Sequence, residues 1–294
     1  MNRLNNKEGI IPILLELGKV RITLFVAVST SVGFILAAGK LSWQAFFVTL
    51  GVFLLACGSS ALNHFQERNT DAMMSRTKQR PIPSGAVSPF EALIVVISFS
   101  LSGLVVLYFS GSLKVALLGM LALLWYNAFY TPLKKLTALA VVPGALIGSI
   151  PPVIGYVAAG GKMTNPEILA VALFFFIWQV PHFWLLLMIY AKDYQRAGFP
   201  VLTDLFSTKQ LTRITFMWIV ALAVSCLLIA LFGVVKNPVI NMLLVLAGAW
   251  LVWDSRKLIM HSFEKMTYRF AFREINIYVL LVVILLSINK LFNF

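Results

Sequence analysis

Nine stretches of this chain are apolar for the length needed to cross a bilayer, and that repetition leaves little choice of architecture. At a rise of about 1.5 Å per residue, about 20 predominantly apolar residues span the hydrocarbon core. Such windows fall at 20–38, 43–62, 90–110, 113–130, 138–158, 167–189, 213–234, 237–253 and 275–293. In lipid, every backbone polar group has to be satisfied internally, and runs this long achieve that as helices. The expected fold is an all-α polytopic membrane protein, about nine transmembrane helices in one bundle. Only 12% of the 294 residues are charged and 60% are apolar, so no separate soluble domain is expected and residues 1–294 read as a single integral-membrane domain. The first 19 residues, "MNRLNNKEGIIPILLELGK", read as a cytoplasmic or interfacial segment rather than a cleavable signal, because Pro12 and Glu16 interrupt the short apolar piece.

The net charge of +13 would suit a nucleic-acid binder if it were spread over a soluble surface. Its placement says otherwise. With the amino terminus in the cytoplasm, nineteen of the 24 Lys and Arg fall on the cytoplasmic side, and only Lys40, Lys114, Lys162, Lys236 and Lys290 fall on the other. That is the positive-inside asymmetry of membrane proteins, so topology accounts for the charge and no nucleic-acid partner is expected. Cys57 and Cys226 lie inside predicted spans without metal-ligand spacing and read as small packing residues.

With this topology, the polar segments 63–89, 131–137, 190–212 and 254–274 share the cytoplasmic face, while the outward connections are short. A channel or transporter needs polar residues through its depth, so one-sided polarity favours an enzyme working at that face. The densest segment is "NHFQERNTDAMMSRTKQRPIPSG", residues 63–85. Asn63, Glu67 and Asp71 are spaced i, i+4, i+8, which on a helix puts them within about 80° of one another over a rise of about 12 Å. Two carboxylates on one face repel unless a cation intervenes, and Mg²⁺ commonly takes one or two protein carboxylates with water and substrate phosphates. Arg76, Lys78 and Arg80 come next; Arg forks match phosphate oxygens and Lys offers a point charge. The alternative is a helix end with topological Arg residues and incidental ion pairs.

Two further segments end spans on the same face. "IYAKDYQRAGFPVLTD" holds Tyr190, Asp193, Tyr194 and Arg196; Asp193 either supplies another carboxylate to a metal or pairs with Lys192 or Arg196. "WYNAFYTPLKK" places Tyr130 ahead of Lys134 and, alone, reads as an aromatic belt with a topology signal. His182, in "QVPHFWLLL", is an intramembrane ionisable residue, and Pro181 beside it can kink the helix and free backbone carbonyls. His64 lies about 100° off the carboxylate face.

The first segment is similar to the N-x-x-x-[DE]-x-x-x-D motif followed by R-T-x-x-R-P of the UbiA superfamily of intramembrane prenyltransferases. Glu67–Arg68 and Met74 before "SRT" resemble the superfamily's heme-farnesylating branch. "YTPLKK", "PPVIGY" and "KDYQRAGFPVL" resemble further segments, across roughly 15–290. Two departures stand out. The superfamily's second D-x-x-x-D motif has Ala197 in its last place here, which fits the heme branch better than the quinone-precursor branch, and "LTALAVVPGALIGSIPP" is looser than the branch pattern. The resemblance implies transfer of a farnesyl group from farnesyl diphosphate to heme B as substrate, with water added, giving heme O. It implies Mg²⁺ held with diphosphate by Asn63, Glu67, Asp71 and Asp193, with Tyr130 facing the allylic cation or the diphosphate. Arg76, Arg80 and Lys134 would clamp phosphate, with Arg21, Arg68, Lys78 and Arg196 as outer basic candidates, and His182 would contact heme or else be a packing histidine. The implied partners are these two substrates, the lipid bilayer and, downstream, heme A synthase or terminal oxidase assembly. A bacterial-type inner membrane is the implied location. Rival readings are a prenyltransferase acting on a quinone precursor, a transporter, or a heme-binding assembly factor.

The charge count predicts a cytoplasmic amino terminus and an external carboxyl terminus. Epitope tags at both ends, probed from either side of the membrane, should report on opposite faces; a cytoplasmic tail at Phe294 would remove the nine-span topology.

Overall fold

The computed structural model describes residues 9–260 and 265–292; His261, the first eight residues and Phe294 lie outside them. Helix α1 (Ile10–Leu17) exposes Ile10, Ile11 and Leu15 and buries Leu17. Then come α2 (Val20–Ala38), α3 (Trp43–Met73), α4 (Pro89–Ser110) and α5 (Leu113–Leu124), which continues as a π-helix over Trp125–Tyr130. Short turns lead into α6 (Leu146–Ala158), and the chain goes on through α7 (Pro166–Arg196), α8 (Thr208–Leu231), α9 (Pro238–Ser255) and α10 (Lys265–Leu291). Among the described residues there is no strand, and nine helical spans are long and apolar enough to cross a membrane. Local sequence explains where they start. Ser88 and Ser207 begin capping boxes with Glu91 and Gln210, Ser42 and Asn237 cap α3 and α9, and a proline opens α4, α7 and α9. These side chains satisfy N–H groups that a first helical turn leaves unpaired.

Every expected span is present, and the differences lie at the ends. Helix α3 runs eleven residues past the apolar window to Met73, so Asn63, Glu67 and Asp71 stand on one continuous helix, as their spacing requires. Helix α10 starts at Lys265 rather than at 275, and Lys257–Met260 is helical too, so much of the expected 254–274 loop is helix. Pro181 could kink α7, but the residue with non-helical torsions inside that helix is Tyr190 (φ −114°, ψ 17°). Proline inside a helix removes one hydrogen bond and crowds the carbonyl of the preceding turn, yet Pro181 keeps helical torsions, while Tyr190 sits where the helix leaves the apolar window.

Helix α3 packs most extensively against α4, and α2 against α6. The second contact is a backbone approach. A Cβ at Gly33 would lie 1.8 Å from the Pro152 carbonyl oxygen, and one at Gly155 would lie 1.9 Å from that of Thr30. Small residues that let helix backbones meet are a principal means of association where lipid removes the hydrophobic drive.

Gly155→Ala should therefore destabilise the α2–α6 pair by about 1–3 kcal/mol or more, the range for overpacking, lowering the thermal midpoint in detergent. Gly9→Ala, with open space around it, is the matched control; equal midpoints would refute the close approach.

Candidate active site

The acid face of α3 is buried, and each member already has a partner. Asn63, Glu67 and Asp71 are 1%, 5% and 0% exposed. Arg80 donates two hydrogen bonds to Asp71, at 2.8 Å to Oδ1 and 2.7 Å to Oδ2. To do so the chain after Met73 turns back, with the Thr77 hydroxyl donating to the Asp71 carbonyl at 2.9 Å. Lys134, just past the π-helix, pairs with Glu67 at 2.5 Å. Lys19 donates to Asn63 Oδ1 at 3.0 Å, and Asn63 Nδ2 donates to Thr131 Oγ1 at 3.4 Å.

Three basic groups thus face two acids. Lys134 is held charged: burial works against it, but Glu67 more than offsets this and its pKa is raised above the ordinary lysine value. Lys19 goes the other way. Loss of water and the neighbouring Arg80 bring its pKa down to about 7, with Glu67 opposing. Its backbone is also the single non-glycine residue at positive φ among the described residues (φ 45°, ψ 49°), a conformation that costs an L-residue about 1–2 kcal/mol. Two of the three bases are thus paired with acids, and the third, Lys19, is bonded to an amide and held at a lowered pKa.

The π-helix positions Lys134. Asn127 Nδ2 donates to the Ser59 carbonyl at 3.0 Å and to Gln66 Oε1 at 3.2 Å, Ser59 Oγ donates to Asn127 Oδ1 at 2.6 Å, and Gln66 Nε2 returns a bond to the Asn127 carbonyl at 3.0 Å. This lattice fixes α5 against α3. Tyr130 is buried beside it, with Lys134 Nζ 5.5 Å from its ring centroid and Phe183 6.1 Å away. Gly144 gives it room, since a Cβ there would lie 2.3 Å from the Tyr130 ring.

Helix α7 meets the same place from the other side. Ser75 Oγ donates to Asp193 at 2.6 Å, Arg196 lies 4.0 Å from that carboxylate, and the Arg76 guanidinium lies 4.9 Å from the Tyr190 ring centroid. Met74, Ala197 and Phe199 form a small apolar cluster closing the seam. The ends of α3, α5 and α7 thus meet through Glu67–Lys134 and Ser75–Asp193. The expected Arg76–Lys78–Arg80 clamp is divided, however. Arg80 turns inward, Arg76 stacks on Tyr190, and Lys78 is exposed. Arg68 donates to the Phe65 carbonyl at 2.7 Å and covers the Phe65 ring, and Arg21 is exposed, so neither joins the acids. His64 is 1% exposed and its ring nitrogens have no hydrogen-bond partner among the described residues.

Among the described residues no three His, Cys, Asp or Glu side chains come within reach of one ion. The donor set nonetheless suits a hard cation. It is all oxygen, it offers one or two carboxylates at a time, and Mg²⁺ fills its remaining positions with water and phosphate. Lys19 and the Ser59–Gln66–Asn127 lattice escape a reading of the sequence. There Lys19 counts only toward sidedness, although its place after Gly18, between an interfacial helix and a span, is an available signal.

A model of the UbiA prenyltransferase family matches residues 26–280. The chain belongs to that family. Curated relatives named protoheme IX farnesyltransferase include one from Oleidesulfovibrio alaskensis, 33% identical over 276 residues, covering 94% of this chain and 95% of the relative. Another, from Geobacter sulfurreducens, is 46% identical over 183 residues, covering 62% and 67%. Among solved structures, a UbiA homolog from Archaeoglobus fulgidus bound to GPP and Mg²⁺ superposes with a TM-score of 0.68 at 16% identity, over 94% of this chain and 99% of that one. A UbiA homolog from Aeropyrum pernix K1 does so at 0.71 and 19%, over 90% and 98%. These likenesses establish the fold of a membrane-embedded prenyltransferase.

Surplus positive charge predicts anion capture. Inorganic diphosphate at a hundred times its Kd should stabilise the chain by about 2.7 kcal/mol, read as a raised thermal midpoint. Lys19→Met and Lys134→Met should each shrink that gain; equal gains in all three proteins would take these lysines out of the anion site.

Proposed function

We propose that this chain transfers the farnesyl group of farnesyl diphosphate to a vinyl group of heme B, with addition of water, making heme O. The observation that carries the reading is identity along nearly the whole chain with relatives named protoheme IX farnesyltransferase. The site's chemistry agrees with it. Ionisation breaks the bond between farnesyl C1 and the diphosphate oxygen, and the electron pair leaves on diphosphate. Groups aimed at that growing charge accelerate the step. Here Arg80 and Lys134 stand where they can turn from the acids to phosphate oxygens, and Lys19 where it can turn from the Asn63 amide, with Arg76 and Arg196 at the rim. The π electrons of the vinyl group then form the bond to C1, water adds to the carbon left electron-deficient, and a proton is released. The Tyr130 ring lies beside the Lys134 ammonium, between the acid face and the aromatic wall formed by Phe183 and His182, which suits it to face the allylic cation.

Asn63, Glu67, Asp71 and Asp193 would hold Mg²⁺. When bound, the metal supplies positive charge to the leaving diphosphate. The apolar spans would house the farnesyl tail and the porphyrin, with His182 as a heme contact. The single domain sits in a bacterial-type inner membrane with its amino terminus cytoplasmic, and its product passes to heme A synthase or terminal oxidase assembly.

Purified protein supplied with heme B, farnesyl diphosphate and Mg²⁺ should yield farnesylated heme by mass. Asp71→Ala should lower the rate by about 100-fold or more, the scale for losing one electrostatic group, while the protein stays folded and inserted. Full activity in that variant, or with divalent metal chelated, would defeat the site assignment. A prenylated phenol with no farnesylated heme would move the acceptor to a quinone precursor.

A further inference from the structure

His182 has one hydrogen-bond partner among the described residues, Asn276 of α10, with 3.0 Å between Nδ1 and Oδ1. What that contact means depends on which way round the amide lies, and the backbone decides it. Asn276 also reaches the Phe272 carbonyl oxygen, one turn earlier on the same helix, at 2.6 Å. A carbonyl oxygen can only accept, so the amide atom facing it is the NH₂ group. The atom facing His182 is therefore the amide oxygen, which again can only accept. Hence Nδ1 carries the hydrogen, and in the neutral ring the lone pair lies on Nε2. The ring is walled by Trp178, Phe183 and Phe272 at centroid distances of 4.8, 5.5 and 4.7 Å. Phe183, the next residue on α7, reaches Tyr130 at 6.1 Å between ring centroids, so the aromatic wall that holds the imidazole continues from the apolar interior toward the acid face. Along α7 it lies eleven residues before Asp193, about 16 Å deeper at the usual helical rise.

We propose that Asn276 is a positioning residue, holding His182 as its Nδ1–H tautomer so that Nε2 is presented to the iron of the porphyrin acceptor. The inference rests on the heme-acceptor reading and goes beyond it, because it assigns a role to a residue outside the acid face and outside every family motif in the chain. A hydrogen bond to the distal ring nitrogen fixes orientation and raises ligand basicity, and its loss typically costs 10–100-fold in metal affinity. Helix α10 supplies both parts, Phe272 to stack on the imidazole and Asn276 to orient it.

The test titrates the full chain in detergent with ferric heme B and, separately, with metal-free protoporphyrin IX, for wild type, His182→Ala, Asn276→Leu and Asn276→Asp. Wild type should show the absorption and resonance Raman signature of histidine-ligated ferric heme, which His182→Ala loses. Asn276→Leu should bind ferric heme about 10- to 100-fold more weakly and metal-free porphyrin as wild type does. Asn276→Asp should keep the ligated spectrum and lower the heme midpoint potential, since a carboxylate acceptor makes the ring more basic. Equal weakening for both porphyrins in Asn276→Leu would assign Asn276 to packing and overturn the proposal, as would an unchanged spectrum and affinity. Should Asn276→Leu fail to fold, Asn276→Asp decides, and an unshifted potential overturns the proposal. If wild type neither binds nor farnesylates heme, the heme-acceptor reading itself fails. If it does both with no dependence on Asn276, only the positioning role fails.

Discussion

Glu67 and Asp71 are buried carboxylates at the end of a helix whose first twenty residues are mostly apolar, and much of the surrounding architecture serves to pair them. An uncompensated buried carboxylate costs several kcal/mol, and removing one partner of a buried pair is more damaging than never having built it. The chain therefore brings each acid a cation from a separate segment, Arg80 from the turn after α3 and Lys134 from the turn after α5, and sets Lys19, from the junction of α1 and α2, on the Asn63 amide beside them. Each imposes a backbone condition. The chain after Met73 has to double back, α5 has to end against α3, and residue 19 has to accept a left-handed conformation. A helix end thus organises its neighbours through charge, while the rest of the bundle is held by close packing such as that at Gly33 and Gly155.

The π-helix at Trp125–Tyr130 belongs to the same constraint. Such segments are frequent at functional sites, and the wider turn re-aims the residues beyond it. Here the distortion is held by Asn127, whose side chain and carbonyl engage Ser59 and Gln66 on α3. Tyr130 closes the π-helix, Thr131 comes next and is bonded to Asn63, and Lys134 lies one turn on, paired with Glu67. A regular helix would leave these residues on a different azimuth. The Tyr190 break in α7 plays the matching part opposite, releasing the last helical turn so that Asp193 meets Ser75.

Much of this was legible in the sequence because it depends on local periodicity. Apolar runs give the spans, and i, i+4, i+8 spacing gives the acid face whatever the tertiary context. Asp193 and Lys134 were legible because polar residues ending spans on one face have few places to go. What could not be read was the pairing. Nothing in "SRTKQRP" says that Arg80 turns in while Arg76 stacks on Tyr190, since that depends on a turn whose course is set by Asp71 itself. Lys19 was hidden by its own type, one basic residue among nineteen on its side. Pro181 misled because proline can kink a helix, yet a span packed on several sides can absorb one missing N–H. Asn276 carries no local signal at all; its meaning arises only when α10 lies against His182.

The ion pairs also bear on how one site can be both stable when empty and receptive when filled. A buried pair gains little net free energy over its desolvation cost, so Glu67–Lys134 and Asp71–Arg80 are close to neutral as stabilisers. What they prevent is the far larger cost of charges without partners. On the proposed function, the incoming species is a polyanion accompanied by a hard cation, and it offers each side chain a new partner of the same kind. Glu67 and Asp71 would exchange an ammonium or guanidinium for the metal, and Lys134 and Arg80 would exchange a carboxylate for phosphate oxygens. Because every group stays paired before and after, the exchange need not expose a bare charge to the apolar interior. The surplus cation, Lys19, is the one group the empty site cannot pair with an acid, bonded instead to the Asn63 amide. On the proposed function it would gain most when the anion arrives, and that differential would give the exchange its direction.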